Sequence, residues 1–250
     1  FDQPPRLRSL LKVSPLDVPR VDGLRTMDQA IRSYVKSLHL QQLLGRFATY
    51  VGASPYHAPG TLNVIAHVEL GQGVWYPQGG VYSVAQAFAR LARELGVEIQ
   101  TGRRIQAIDT RDQQVRGVVL ADGSLVPAAA VVANLDVGLV YEKLLSGSRL
   151  PRRQMQRLVE SEPSCSGFIL MLGVKAEHPA LSHHNIFFSP DYRLEFEEIF
   201  QKGHPPANPT IYVAITSKTT PGDAPKGAEN WFVLVNAPAL GPNWDWDTTA

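Results

Sequence analysis

The stretch VYSVAQAFARLARELGVEIQTGRRIQAIDTRDQQVRGVVLADGSLVPAAAVVANLD, residues 81–136, changes its hydrophobic period partway along. Val81, Val84, Phe88, Leu91 and Leu95 recur at helical spacing, which predicts a helix over Val81 to Leu95 with those residues as its buried face and Gly96 as its stop. Beyond Gly96 the period falls to two. Val97-Glu98-Ile99-Gln100 alternates as a short strand, Arg104 to Asp109 gives a second, and Val115 to Leu120 a third. Asp122-Gly123 then turns the chain into Leu125 to Pro127, an Asp-Gly pair between alternating runs being a strong hairpin signal. Ala128 to Ala133 is apolar throughout, as expected of a strand buried on both faces.

That order, helix, strand, strand, hairpin and buried strand, resembles the closing section of a nucleotide-binding α/β domain. Upstream the chain reads as helical. Thr26 and Gln29 form a capping box for a helix running to about Leu38, with Met27, Ile31, Tyr34, Val35 and Leu38 as its apolar stripe. A second helix covers about Leu40 to Val51 and ends near Gly52, and a third follows Pro59. Past about Leu150 the composition shifts. Gly167 to Val174, Asn185 to Phe188, Thr210 to Thr216 and Trp231 to Val235 read as longer strands, with a helix at about Arg193 to Phe200. A mostly antiparallel sheet with helices on one face follows, so the fold class is α/β in the broad α+β sense.

The 250 residues suffice for one large domain or two small ones, and 44% hydrophobic against 19% charged residues excludes a mainly disordered chain. A net charge of +1 gives no bulk electrostatic case for nucleic acid. Arg6, Arg8, Lys12 and Arg20 gather near the start, where they make either a solvated face or a contact with anionic lipid head groups. Cys165 is the only cysteine, so no disulfide forms within the chain and no Cys-based metal cluster is possible, which fits a reducing cytoplasm. No apolar run approaches the ~20 residues of a spanning helix, so any membrane contact is peripheral. The chain opens on Phe1 and stops at Ala250 after a Trp-rich stretch, which reads as a piece of a longer protein.

Short motifs do not name a reaction. There is no Gly-x-Gly-x-x-Gly after a strand, no P-loop, no Gly-x-Ser-x-Gly and no His-Glu-x-x-His. Longer strings say more. FATYVGASPYHAP (47–59), GVWYPQGGVYSVAQAFARLARELGVEI (73–99), VVANLDVGLVYEKLL (131–145), PSCSGFILMLGV (163–174), HHNIFFSPDYRLEFEEIF (183–200) and TIYVAITSKTTPGDAPKGAENWFVLVNAP (210–238) follow in one order. Over about residues 24–238 the chain resembles the middle portion of bacterial-type phytoene desaturases, the carotenoid desaturases of the FAD-dependent, amine-oxidase-like superfamily.

The resemblance implies a two-domain flavoprotein that desaturates a long acyclic polyene such as phytoene, with FAD as cofactor and a polyene as partner. It divides this chain into 1–72, the helical part of a substrate domain; 73–145, a segment returning to the FAD-binding domain; and 146–250, an antiparallel-sheet substrate domain. It implies cofactor contacts at Gly79 and Gly80, in an aromatic-Gly-Gly turn, and at Ile105 through its main chain; a plain tight turn and a plain core strand explain the same residues. Trp75, Tyr76 and Tyr82 could line a polyene tunnel, and one face of the strand, either that of Phe168, Leu170 and Leu172 or that of Ile169 and Met171, could floor it, although core packing accounts for each. No catalytic base is carried over, because Arg8-Ser9-Leu10-Leu11-Lys12 has no acid where some members place one. Without the Gly-rich phosphate loop, the 250-residue piece itself is expected to bind FAD poorly and to be inactive. Peripheral membrane contact in the cytoplasm suits a waxy substrate. A carotenoid saturase or isomerase, a non-catalytic polyene or lipid carrier, and a structural interaction module are the other readings.

Three remaining clusters read as structural. His183-His184 should point to opposite strand faces and so not share a metal ion. Glu195, Glu197 and Glu198, with Asp191 near the helix start, read as a solvated face. Ser164-Cys165-Ser166 lacks a base partner for a nucleophile. Arg46 and Tyr50, a turn apart, could face a cavity, but a surface arginine and a core tyrosine are the plainer expectation.

Overall fold

In the computed structural model, which describes residues 21–112, 114–145, 156, 160 and 163–249, the chain divides into two compact units. One combines Phe1–Tyr76 with Pro163–Ala250, and the other is Pro77–Glu162. The basic residues Arg6, Arg8, Lys12 and Arg20 lie outside the described residues.

The first unit begins with helix α1, Met27–Tyr34. Both arms of its capping box form: the Gln29 N–H donates to Thr26 Oγ1 (3.2 Å) and the Thr26 N–H donates to Gln29 Oε1 (2.9 Å). The first-turn donors of Met27 and Asp28, which have no partner inside the helix, reach the carbonyls of Ala58 (2.8 Å) and Pro55 (2.9 Å). The loop 55–58 is thereby pinned to the start of α1. The helix ends at Tyr34, short of the predicted Leu38, because Val35 turns extended (φ −120°, ψ 123°) and Ser37 opens a new helix. That helix, α2 (Leu38–Gly45), tightens into a 3₁₀ turn, Arg46–Val51, and α3 follows at Asn63–Gln72. Met27, Ile31, Phe47, Ala48, Ala58 and Ala66 bury together as the core of this layer.

The sheet of this unit holds β4 (Ser166–Val174), β5 (His184–Phe187), β6 (Ile211–Ala214) and β7 (Glu229–Ala237) in the order β4-β7-β6-β5, every pair antiparallel. The pairings Gly167 with Asn236, Ile169 with Leu234 and Tyr212 with Leu234 put Gly167, Ile169, Met171, Phe232, Leu234, Asn236 and Tyr212 on one face. Phe168, Leu170, Leu172, Val233 and Val235 take the other. Helix α5, Tyr192–Glu197, starts at an Asp191 cap whose carboxylate accepts from the Leu194 N–H (3.0 Å).

The second unit contains α4 (Tyr82–Glu94) and a three-stranded antiparallel sheet, β1 (Ile105–Arg111), β2 (Gln114–Leu120) and β3 (Leu125–Pro127). The Asp122-Gly123 turn forms as predicted, with Gly123 at φ 82° and the Ser124 N–H on Asp122 Oδ1. Burial does not follow the sequence pattern. Val81, Val84, Phe88, Leu91 and Leu95 are 44–74% exposed, so the stripe of α4 is apolar but uncovered among the described residues. Val97–Gln100 and Ala128–Ala133 form no ladder, and Val132 is 96% exposed. A strand needs a neighbour to hydrogen-bond: Val97–Gln100 has none among the described residues, and Ala128–Ala133 leaves β2 after one bond, from the Ala128 N–H to the Arg116 carbonyl (3.0 Å).

Glu229, 3% exposed at the start of β7, ties the segments carrying His178 and Lys218 to its own strand. It accepts from the His178 N–H (2.9 Å), the Lys218 ammonium (2.6 Å) and the Trp231 indole N–H (2.9 Å), and its second oxygen meets His178 Nδ1 at 2.9 Å. Burial alone would push its pKa up, but these donors hold it down at about 2. A carboxyl held below its unfolded value stabilises the fold fully above the ordinary glutamate range and loses that contribution as pH falls towards the folded value. We predict that Glu229→Gln costs roughly 2–3 kcal/mol at pH 7. Thermal unfolding from pH 6 down to pH 2 should show a steeper loss for the wild type than for the variant, the two converging in acid.

Candidate functional site

The site of the first unit is built by a turn. Gly52 ends the 3₁₀ segment in the left-handed region (φ 64°), and a Cβ there would come within 2.5 Å of Ser164 Cβ. Its carbonyl accepts from the Cys165 N–H (2.9 Å), seating the helical segment at the entry of β4. A cavity of about 580 Å³ lies between them. Arg46, Tyr50 and Gly52 form one wall, Ser164 to Gly167 another, and Tyr212, Leu234 and Asn236 supply the sheet side. The cavity therefore opens on the Gly167 face of the sheet, where Ile169 and Met171 are 46% and 80% exposed.

Arg46 is half-buried, with its guanidinium over the rings of Tyr212 (5.2 Å) and Tyr50 (5.9 Å). No carboxylate pairs with it among the described residues. The Tyr212 hydroxyl meets His184 Nδ1 at 2.7 Å, and the His183 and His184 rings lie 4.4 Å apart. Burial first, then the nearby His183 and Arg46, hold the His184 pKa below its ordinary value, so the ring is neutral near pH 7. Tyr50 and Tyr212 are pushed up, chiefly by burial. The wall is one fixed cation on aromatic faces, backed by a neutral imidazole.

Three structural expectations need correction. Tyr50 is 53% exposed rather than core, because the tight 3₁₀ turn rotates it out beside Arg46. The two histidines converge rather than diverge: His183 precedes β5, where strand alternation does not yet apply. Each Nδ1 has its own partner, Thr219 for His183 (2.6 Å) and Tyr212 for His184. Glu195 and Glu198, read as solvated, are 1% and 9% exposed. Thr210 Oγ1 donates to Glu195 Oε2 (2.6 Å), the Ala207 N–H donates to Glu198 Oε2 (3.1 Å), and Asn236 acts on the buried Glu195 carboxyl from the sheet. Cys165 is half-buried and burial pushes its thiol up, which leaves it a poor nucleophile.

The residues singled out for cofactor and polyene fall in both units. In the first, Trp75 is 83% exposed, and Tyr76 packs edge-on against His183 (5.1 Å). Phe168 stacks on Trp246 (5.9 Å), and with Leu170 it occupies the sheet face opposite the cavity. In the second unit, Gly79 and Gly80 both take positive φ (83° and 80°), Ser83 Oγ donates to the Gly80 carbonyl (2.7 Å), and Tyr82 is 73% exposed. Ile105 opens β1, an edge strand among the described residues, beside a bulge at Gln106. Arg46, Tyr212 and Glu195 were not selected as site residues. Only the position of Arg46 and Tyr50 one turn apart hinted at the first.

Residues 28–213 match the family described as flavin containing amine oxidoreductase. A 4,4'-diapolycopene oxygenase of a Methylomonas species is 39% identical over 237 residues, which cover 95% of this chain and 46% of that protein. A 1-hydroxycarotenoid 3,4-desaturase of a Flavobacterium species is 38% identical over 240 residues, 96% of this chain and 47% of that one. The chain thus spans about half the length of the curated relatives it matches. The crystal structure of an oxidoreductase from Methanosarcina mazei superposes with a TM-score of 0.63 at 16% identity, over 94% of this chain and 53% of that chain, a likeness of fold alone.

Burial raises the Glu195 pKa against the hydrogen bond from Thr210. A carboxyl whose folded pKa is raised loses stability as pH climbs from its unfolded value through its folded one. Glutamine keeps the shape and the Thr210 bond without the ionisation. We therefore predict that Glu195→Gln is stability-neutral near pH 4 and more stable than wild type, by about 1 kcal/mol or more, at pH 8. Chemical denaturation at the two pH values checks this.

Proposed function

The chain belongs to the flavin-containing amine oxidoreductase family, and from that premise we propose that the protein containing it is an FAD-dependent oxidoreductase that desaturates an acyclic carotenoid, phytoene or a derivative. The observation that carries the reading is the cavity of the first unit, which lies against the Gly167 face of the sheet, the face that also carries the exposed Ile169 and Met171. A long hydrocarbon needs such a run of uncovered apolar side chains, because its binding free energy comes almost wholly from area removed from water. Names of relatives that include a hydroxycarotenoid desaturase support the same substrate class. The name diapolycopene oxygenase favours a second reading, oxygenation at the end of the chain.

Desaturation removes a hydride from one carbon and a proton from its neighbour, leaving a new double bond in conjugation. Bound flavin supplies the two-electron oxidation. The part of this chain is to hold the polyene in line and exclude water along it. Towards the cofactor it offers main-chain groups: the Gly79-Gly80 turn, whose paired positive φ values leave the backbone uncovered by side chains, and the open edge of β1 at Ile105. These fit part of a flavin site, while the phosphate-binding glycine loop is not in this sequence. The reading includes peripheral contact with the cytoplasmic membrane surface where carotenoids reside. No helix among the described residues is long and apolar enough to cross it.

The full-length protein, expressed in hosts that accumulate phytoene or later acyclic carotenoids, should carry flavin and yield a product with more conjugated double bonds, seen by chromatography with absorption detection. Replacing Gly79 and Gly80 together by valine should cut retained flavin at least about tenfold, since both positions require a backbone that β-branched residues rarely adopt. Absence of flavin and of any altered carotenoid in every host would refute the reading.

A further inference from the structure

We propose that Arg46 anchors an oxygen-bearing end of the polyene, so that the cavity beneath it is an end-group site and the preferred substrate is a carotenoid already carrying a hydrogen-bond acceptor at its terminus. This rests on the carotenoid reading and narrows it. The wall around Arg46 is poorly suited to plain hydrocarbon. Its guanidinium is half-buried and has no carboxylate partner among the described residues. A hydrocarbon end filling the cavity would strip water from those N–H groups and return nothing, an unfavourable exchange for a charged group. A hydroxyl, aldehyde or carboxylate oxygen would replace the lost water with a charge-assisted hydrogen bond.

The surroundings fix the arginine for this task. Stacking on Tyr212 (5.2 Å) and Tyr50 (5.9 Å) occupies the flat face of the guanidinium, and the Tyr50 hydroxyl takes one of its N–H groups, leaving the others without a carboxylate among the described residues. Tyr212 is itself held by His184 (2.7 Å). Neighbouring cavity residues, Thr49, Ser164, Ser166 and Asn236, are polar, whereas Val51, Gly167 and Leu234 lead towards the apolar sheet. The cavity therefore has a polar head, and the sheet face it lies against carries the exposed apolar Ile169 and Met171. The hollow between α1 and α3, of about 780 Å³, lacks this pairing: its titratable lining is Asp22, Tyr34 and His67, with no arginine or lysine, and Asp22 already pairs with Arg25 (2.6 Å).

The test uses the full-length holoprotein and two acyclic polyenes of equal length, one ending in an aldehyde and one a plain hydrocarbon, delivered from the same detergent. Affinity is read from the change in visible absorption of the polyene. Wild type should bind the aldehyde-ended polyene about tenfold or more tightly than the hydrocarbon. Arg46→Leu should abolish that preference, weakening the aldehyde-ended polyene and tightening the hydrocarbon, whose end then strips no water from a charged group. Arg46→Lys, which keeps the charge but loses the planar fork, should retain a reduced preference, and it decides the matter if the leucine variant fails to fold. Equal affinities in wild type, or a preference that survives intact in either variant, overturn the proposal and leave the carotenoid reading standing. If neither polyene binds to wild type, the carotenoid reading fails and the end-group site falls with it.

Discussion

The geometry of the first unit depends on a turn with no room for a side chain. Gly52 sits in left-handed conformation against Ser164, and its carbonyl takes the Cys165 N–H just before β4 begins. Any larger residue would push the helical layer off the sheet entry. Because the contact is close, the preceding 3₁₀ turn lies over the sheet, and Arg46 reaches the ring of Tyr212 across a gap wide enough to be a cavity. Sequence-local chemistry (a helix stop at glycine) thus sets a tertiary distance, and the tertiary distance sets what the site can bind.

Beside Arg46 an acid, Glu69, reaches the same wall and accepts from the Tyr50 hydroxyl (3.4 Å). The carboxylate of Glu229 is committed to Lys218, His178 and Trp231. Burial favours the neutral form of Glu195, and His184 is held neutral chiefly by its own burial, with His183 and Arg46 beside it. Arg46 is left as a fixed positive charge bordering apolar surface. In a partly desolvated setting such a charge discriminates strongly between a ligand atom that accepts a hydrogen bond and one that does not, because the alternative is a donor deprived of water. Selectivity for the end of a chain and affinity for its length then come from different residues, Arg46 for the first and the Gly167 face for the second.

Features decided by neighbours in sequence were legible. The Thr26–Gln29 capping box, the Asp122-Gly123 hairpin and the four strands of the larger sheet need only local hydrogen bonds or strict alternation to be recognised. Burial was less so, since it depends on what covers a surface. The stripe Val81 to Leu95 and the run Ala128 to Ala133 have the composition of core but no cover among the described residues. Conversely Glu195 and Glu198 look like solvated acids until Thr210 and the Ala207 N–H are seen against them. The site was the least legible part. The partners of Arg46 come from the same helical turn and from Tyr212, more than a hundred and fifty residues away. No spacing rule joins them, whereas the family resemblance rests on strings and so pointed to chemistry without pointing to this arginine.

A structure of the full-length protein with an oxygen-ended polyene bound is the most direct measurement of the central claim. The account predicts electron density for the polyene along the Gly167 face, with its terminal oxygen about 3 Å from the Arg46 guanidinium and the Tyr50 and Tyr212 stacking preserved. Density along the Phe168 face instead, or Arg46 paired with a carboxylate from elsewhere in the protein and its cavity filled by side chains, would contradict it.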